Sequence, residues 1–280
     1  MYSIAALADP RIPDLAGTSG LPDPGPARPG SVTRRRPRGR SDLPDIGAGR
    51  TPYAGSLRGV TAPAFPDFAV LFDMDGTLLD SEKVWEVGLH ELAAHYGGTM
   101  SADARARMVG TSMAESMEIL HTDIGQPYRD PDASVRWLEA RVAELFAADL
   151  LWRPGARELL AEVRAARVPA ALVTATRRHL VEVALGTLGR ANFDAVVCGD
   201  DVDETKPHPL PYLTAAALLG VDPARCVAIE DSSTGVASAR AAGCPVLAVP
   251  CEVDLPTAEG VTVRPDLLGV DLDYLRKLTA

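Results

Sequence analysis

The sequence predicts an α/β fold: a doubly wound, Rossmann-like parallel sheet core with an inserted α-helical cap domain. Three observations lead there. Short continuous apolar runs recur five times, the pattern of strands buried on both faces. Helical spacing fills the intervals between the later runs, and alternating strand and helix argues for a parallel sheet covered on both sides. Between the first and second runs, about 100 residues pass without a strand-like stretch, far more than one crossover helix needs.

Residues 1–66 hold 11 of the 23 prolines and the run Arg34-Arg35-Arg36-Pro37-Arg38-Gly39-Arg40. Such a composition buries too little apolar surface to offset the entropy of ordering, so a disordered tail is expected. The arginine run suits a nucleic-acid or anionic-lipid contact; the plainer reading, favoured here, is a solvated segment.

Order is expected from Phe68. Phe68-Ala69-Val70-Leu71-Phe72 leads into Asp73, and Ala170-Ala171-Leu172-Val173, Ala195-Val196-Val197-Cys198 and Cys226-Val227-Ala228-Ile229 resemble it, with Val246-Leu247-Ala248-Val249 as a fifth run. Leu159, Leu160, Val163 and Ala166 share a helical face after Pro154 and Gly155, as do Leu180, Val183, Ala184 and Leu188. Leu213, Ala216 and Ala217 begin a third helix; Val236, Ala239 and Arg240 fall in a fourth, closed by Gly243. In the long interval, Trp85, Leu89, Leu92 and Tyr96 are spaced 4, 3 and 4. Val135, Leu138, Val142, Leu145 and Leu150 are similar, and Met113, Met117 and Leu120 fit a helix between. The predicted organisation is a tail over 1–66, a core over 67–83 and 151–280, and a helical cap over 84–150 above the strand ends.

Apolar and charged contents of 46 % and 24 % are those of an ordinary soluble chain. No apolar run nears the ~18 residues of a membrane helix, and no secretory pattern is expected. The four cysteines are spread singly, which points to a reduced, cytoplasmic setting and away from zinc. Net charge is −10; the nine arginines and five aspartates of residues 1–64 contribute +4, which leaves −14 for the rest. An acidic body disfavours nucleic acid as the main partner and suits a site that recruits a divalent cation. No membrane partner is expected, and the chain is read as a monomer or weak dimer.

In an open parallel sheet, ligands bind beyond the carboxyl ends of the strands. There the sequence places Asp73-Met74-Asp75-Gly76-Thr77, Thr174-Ala175-Thr176, Gly199-Asp200-Asp201 with Lys206-Pro207, and Glu230-Asp231. Clustered carboxylates raise one another's pKa, and Mg²⁺ resolves the conflict because it prefers hard oxygen ligands and keeps waters that a phosphate can replace. Asp73 and Asp75 converge only if the chain turns between them, and Gly76 permits the turn. One aspartate can then attack phosphorus while the other passes a proton to the leaving alkoxide. Lys206 and Thr174 supply charge and a hydroxyl for the phosphoryl oxygens. Each piece has a plain alternative: a tight Asp-Gly turn, a β-branched strand residue, a solvated lysine, and Asp231, Ser232 and Ser233 as a helix cap. Their joint occurrence, in order and each at a strand end, favours the site.

Phe72-Asp73-Met74-Asp75-Gly76-Thr77-Leu78-Leu79-Asp80-Ser81-Glu82 resembles the first motif of the haloacid dehalogenase superfamily. Val173-Thr174 resembles its second, Lys206-Pro207 its third and Ile229-Glu230-Asp231-Ser232-Ser233-Thr234-Gly235 its fourth, so that the likeness spans about 67–250. The resemblance implies Asp73 as nucleophile and Mg²⁺ ligand, and Asp75 as general acid/base with its backbone carbonyl on the metal. It implies Thr174 and Lys206 on the phosphoryl group, with the backbone amides after Asp73 and at Ala175 facing it. Asp231 would be a metal ligand, and Glu230 a further ligand or a partner of metal-bound water.

Within the superfamily, Asp75 and the Glu230-Asp231 pair count against dehalogenation. Phosphomutases that resemble β-phosphoglucomutase carry a cap histidine twelve residues after the nucleophile, where this chain has Trp85, and an arginine in a Gly-x-Ser-Arg stretch, where it has Met113. A methionine cannot replace a bidentate phosphate clamp. The expectation is a Mg²⁺-dependent phosphatase acting on a small phosphorylated metabolite, with a sugar phosphomutase and a non-catalytic phosphometabolite-binding protein as alternatives. Trp85 and Met113 are read equally as an apolar lid over the leaving group and as cap core. Glu82 and Lys83 sit at the expected hinge, and His208 is read as a surface residue.

Overall fold

The computed structural model describes residues 67–109, 111–251, 255 and 258–279; the expected tail over 1–66 and Gly110 lie outside the described residues. Six strands form one parallel sheet: β1 (Ala69–Phe72), β2 (Ala170–Val173), β3 (Ala195–Val197), β4 (Cys226–Glu230), β5 (Val246–Ala248) and β6 (Val261–Val263), in the order β3-β2-β1-β4-β5-β6. β1 is central, with Leu71 beside Ala171 on one side and Ala228 on the other. The chain steps outward from β1 through β2 to β3, then returns to β1's free edge with β4. That reversal opens a crevice at the carboxyl ends of β1 and β4.

Side chains alternate across each strand, so an apolar run feeds two cores at once. Val70, Phe72, Leu172, Val227 and Ile229 join one cluster with α5 (Ala156–Ala165), α6 (Arg178–Leu188) and α9 (Leu272–Lys277). Leu71, Ala171, Val173 and Ala228 face the other way, onto Tyr212, Ala215 and Ala216 of α7 (Leu210–Leu219) and Ala239 of α8 (Ser233–Ala241). The sheet is therefore doubly wound.

Ahead of α5, four helices follow β1: α1 (Glu82–His95), α2 (Ala102–Met108), α3 (Met113–Asp123) and α4 (Pro131–Ala148). Leu89, Leu92, Met117, Leu120, Leu138 and Val142 are buried among them. Their starts carry local signals: Ser112 and Glu115 form a reciprocal capping box, and Asp130 caps α4 ahead of Pro131. α4 rests on α6 of the sheet layer. The outgoing and returning chain run side by side, with Leu79 bridged to Trp152 and Asp80 N–H donating to Leu151 C=O at 2.8 Å.

Three elements escaped the sequence reading. α2 is Ala-Asp-Ala-Arg-Ala-Arg-Met and buries only Ala104 and Met108, too few positions to reveal a period. β6 is three half-buried residues, and α9 is six residues long. Leu150, expected on the last insert helix, is buried but follows that helix's end at Ala148. No helix among the described residues is long and apolar enough to cross a membrane.

Candidate active site

Beyond Phe72 the chain turns tightly. Leu78 and Leu79 N–H both donate to Met74 C=O at 3.0 Å, and Gly76 N–H donates to Leu79 C=O at 2.8 Å. Gly76 has φ +73°, and a Cβ there would lie 2.1 Å from Asp231 Oδ2. Only glycine meets both demands at low cost, and its bareness lets the β1 loop sit against the carboxylate at the end of β4.

Asp73, Glu230 and Asp231 each place one carboxylate oxygen within 4.8 Å of the others, the group among the described residues that can share a metal ion. Lys206 reaches in from the loop after β3. Its Nζ donates to Asp73 Oδ1 at 2.6 Å, Glu230 Oε1 at 2.5 Å and Val173 C=O at 2.9 Å. Tyr212, fully buried on α7, donates its hydroxyl to the same Glu230 oxygen. Glu230 is backed by Gly235, where a Cβ would stand 1.9 Å from Oε2. Ser232 caps α8 and accepts from Gly235 N–H at 3.1 Å. Of the stretch read as a helix cap, Ser232 does the capping while Asp231 joins the carboxylate group.

Burial raises the Asp73 pKa to about 8; Glu230 and Asp75 add to the rise and Lys206 opposes it. Burial, followed by the charges of Asp73, Glu230 and Glu82, raises Asp231 to about 9. Burial alone would lower Lys206, but the two carboxylates it touches prevail and hold it firmly as an ammonium. One buried cation faces three crowded carboxylates. All the donors are hard oxygens, so the residues present fit a Mg²⁺ ion.

The Asp75 carboxylate is held by a separate set of donors. Oδ1 accepts from Ser81 Oγ at 2.7 Å and Trp85 Nε1 at 3.4 Å, and Oδ2 from Thr176 Oγ1 at 2.7 Å and Thr174 Oγ1 at 3.2 Å. Ser81 occupies the N-cap position of α1 yet caps nothing with its side chain, because that hydroxyl serves Asp75. Two donors thus come from the end of β2 and two from the start of the helical insert.

A cavity of about 610 Å³ opens over this cluster between the sheet and the insert. Asp73, Asp75, Thr174, Ala175, Lys206 and Asp231 line its floor, and Glu82, Trp85 and Met113 line the insert side. Glu230 is fully buried behind Lys206. Trp85 and Met113 also pack on the hydrophobic core, Trp85 edge-on to Phe146 at 6.4 Å. Lys83 pairs with Asp80 at 2.5 Å with its side chain 76 % exposed, and His208 is exposed. Neither lines the cavity. Sequence reasoning missed Tyr212, Thr176 and Ser81. Tyr212 sits in a largely apolar helix with no signal to mark it, whereas Thr176 and Ser81 lay inside quoted motifs.

A family model described as haloacid dehalogenase-like hydrolase matches residues 69–243. Hexitol phosphatase B of Escherichia coli K12 is 32 % identical over 216 residues, covering 76 % of this chain and 94 % of that protein. Fructose-1-phosphate phosphatase YqaB of the same strain is 33 % identical over 177 residues, covering 62 % and 92 %. Among solved structures, CbbY from Rhodobacter sphaeroides in complex with xylulose-1,5-bisphosphate superposes with a TM-score of 0.64 at 26 % identity, covering 74 % of this chain and 98 % of that one.

Proposed function

Because the chain belongs to the haloacid dehalogenase-like hydrolases, we propose that it is a Mg²⁺-dependent phosphatase that hydrolyses small sugar or polyol monophosphates through an aspartyl-phosphate. The observation that carries this reading is the Lys206 ammonium spanning Asp73 and Glu230, with Asp231 close enough to share an ion with both. Residues from three separate strand ends meet around one phosphoryl-sized space.

Asp73 is the nucleophile: a carboxylate oxygen attacks phosphorus as the ester oxygen departs. Lys206 and the Thr174 hydroxyl hold the phosphoryl oxygens, with Ala175 at the floor of the cavity. Asp75 gives the leaving alkoxide its proton, then takes one from the water that cleaves the aspartyl-phosphate. Its four hydroxyl and indole donors hold the carboxylate until substrate arrives. Asp73, Asp231, Glu230 and the Asp75 backbone carbonyl would hold Mg²⁺. When bound, the ion neutralises charge that develops on the transferring group. Tyr212 fixes Glu230, and Glu230 fixes Lys206.

The core spans 67–83 and 151–280, and the helices of 84–150 form a cap that closes over the leaving group and excludes water. Thr111, Ser112 and Ser116 line the cavity from the cap, a polar wall that suits a polyhydroxyl leaving group. Hydrolysis is favoured over mutase chemistry because Met113 stands where a second-phosphate clamp would. The relatives named for hexitol and fructose 1-phosphate support this substrate class. A phosphate-release assay with Mg²⁺ across a panel of such esters tests the reading. Turnover by wild type and none by Asp73→Asn is expected; near-normal turnover by that variant would remove the assigned nucleophile.

A further inference from the structure

Glu139 lines the cavity but has no part in the chemistry above. It sits on α4, the insert helix that rests on α6, and its side chain is only 11 % exposed. Two side chains from the start of α6 face it: Arg177, 57 % exposed, with Nη1 at 3.5 Å, and the His179 ring with Nε2 at 3.7 Å. Arg177 directly follows the Thr174-Ala175-Thr176 turn and also lines the cavity.

We propose that Glu139 is a specificity-determining residue, which occupies Arg177 as an ion pair and so bars a second phosphate from the leaving-group side of the cavity. The proposal rests on the phosphatase reading and adds a residue that sets its substrate class. A free guanidinium beside a phosphoryl site is a ready clamp for a second phosphate, since its fork matches the oxygens of that group. A guanidinium already facing a carboxylate offers less, and the carboxylate itself repels an incoming anion. Lys206, beside Asp73 and Glu230, serves the transferring phosphoryl group and not a second phosphate. A sugar or polyol carrying a single phosphate loses nothing by the pairing, because a fixed carboxylate accepts hydroxyl hydrogen bonds.

The test uses the full chain as wild type, Glu139→Gln, Arg177→Gln and the double variant, with sorbitol 6-phosphate and fructose 1,6-bisphosphate as probes. The readout is the ratio of kcat/KM for bisphosphate over monophosphate. Calorimetric Kd values for the same probes, in an Asp73→Asn background, give that ratio without turnover. Glu139→Gln should raise it about tenfold, the scale of one freed charge-assisted contact. Adding Arg177→Gln should erase the gain, and Arg177→Gln alone should leave the ratio within about twofold. A ratio unmoved by Glu139→Gln, a gain that survives loss of Arg177, or a large drop in Arg177→Gln alone would overturn the proposal. So would a Glu139→Gln chain that binds neither probe. If wild type hydrolyses neither ester, the phosphatase reading falls, while the binding ratio still judges Glu139.

Discussion

Replacing Lys206 with methionine keeps the length of the side chain and deletes one charge. In the folded chain that charge lies 2.6 Å from Asp73 Oδ1 and 2.5 Å from Glu230 Oε1, with side-chain exposures of 5 %, 7 % and 0 % for the three groups. Breaking a buried pair by removing one partner costs about 3–5 kcal/mol, because the remaining charge stays buried and unpaired. Part of that cost is avoidable here. Asp73 titrates near 8 and Asp231 near 9 without a metal, so at pH 6 both can be protonated and the loss of the ammonium matters less. The sign follows from linkage. A carboxylate whose folded pKa exceeds its unfolded value of 3.8 contributes stability that is fully present below that value and is lost as pH rises through the folded pKa. Removing Lys206 raises that folded pKa further, so the gap between wild type and variant widens with pH. Urea unfolding in EDTA should show Lys206→Met destabilised by about 3–4 kcal/mol at pH 9.5, above the wild-type pKa values, and by about half of that at pH 6. With Mg²⁺ added, kcat/KM should fall by at least about a thousandfold. A loss under about 1 kcal/mol at pH 9.5, or one equal at the two pH values, would refute the view that this amine balances the carboxylate cluster.

Three other outcomes are expected. Asp75→Asn should lower kcat by about 10²–10⁴ for alkyl phosphates and much less for an ester with a good leaving group such as p-nitrophenyl phosphate, measured by phosphate release. Tyr212→Phe removes one donor from a fully buried carboxylate and should cost about 1–3 kcal/mol in urea unfolding. His121 is buried and hydrogen-bonded to Ser134 Oγ at 2.8 Å, and burial, followed by the charge of Arg129, lowers its pKa below 6.5. A base depressed in this way contributes stability that is present above pH 6.5 and lost as pH falls below it. The His121 contribution should therefore drop by about 1 kcal/mol between pH 7 and pH 5, read as the difference in unfolding free energy between wild type and His121→Asn at each pH.

Much of the architecture was legible because burial on two faces writes itself into composition. The runs ending at Phe72, Val173 and Ile229 are apolar without a break because β1, β2 and β4 lie inside the sheet, whereas β6 at its edge is half-buried and left no such trace. The insert announced itself by length and by the period of Leu89, Leu92, Leu138 and Val142, while α2, with two buried residues, did not. Asp73, Asp75, Thr174, Lys206 and Glu230-Asp231 were legible as chemistry because each falls where a strand ends.

The residues at those strand ends, their order along the chain, and the glycine that permits the turn after Asp75 are properties of the sequence alone, set by local backbone geometry and by which side chains can be buried. Tertiary structure decided the partners. It set Tyr212 against Glu230, Ser81 and Trp85 against Asp75, and Glu139 against Arg177. Except for the Asp75 contacts, these pairs join separate elements, and none shows a periodicity. They exist because strand order brings β4 beside β1 and because α4 lies on α6. A buried polar group must find its partner wherever packing delivers one.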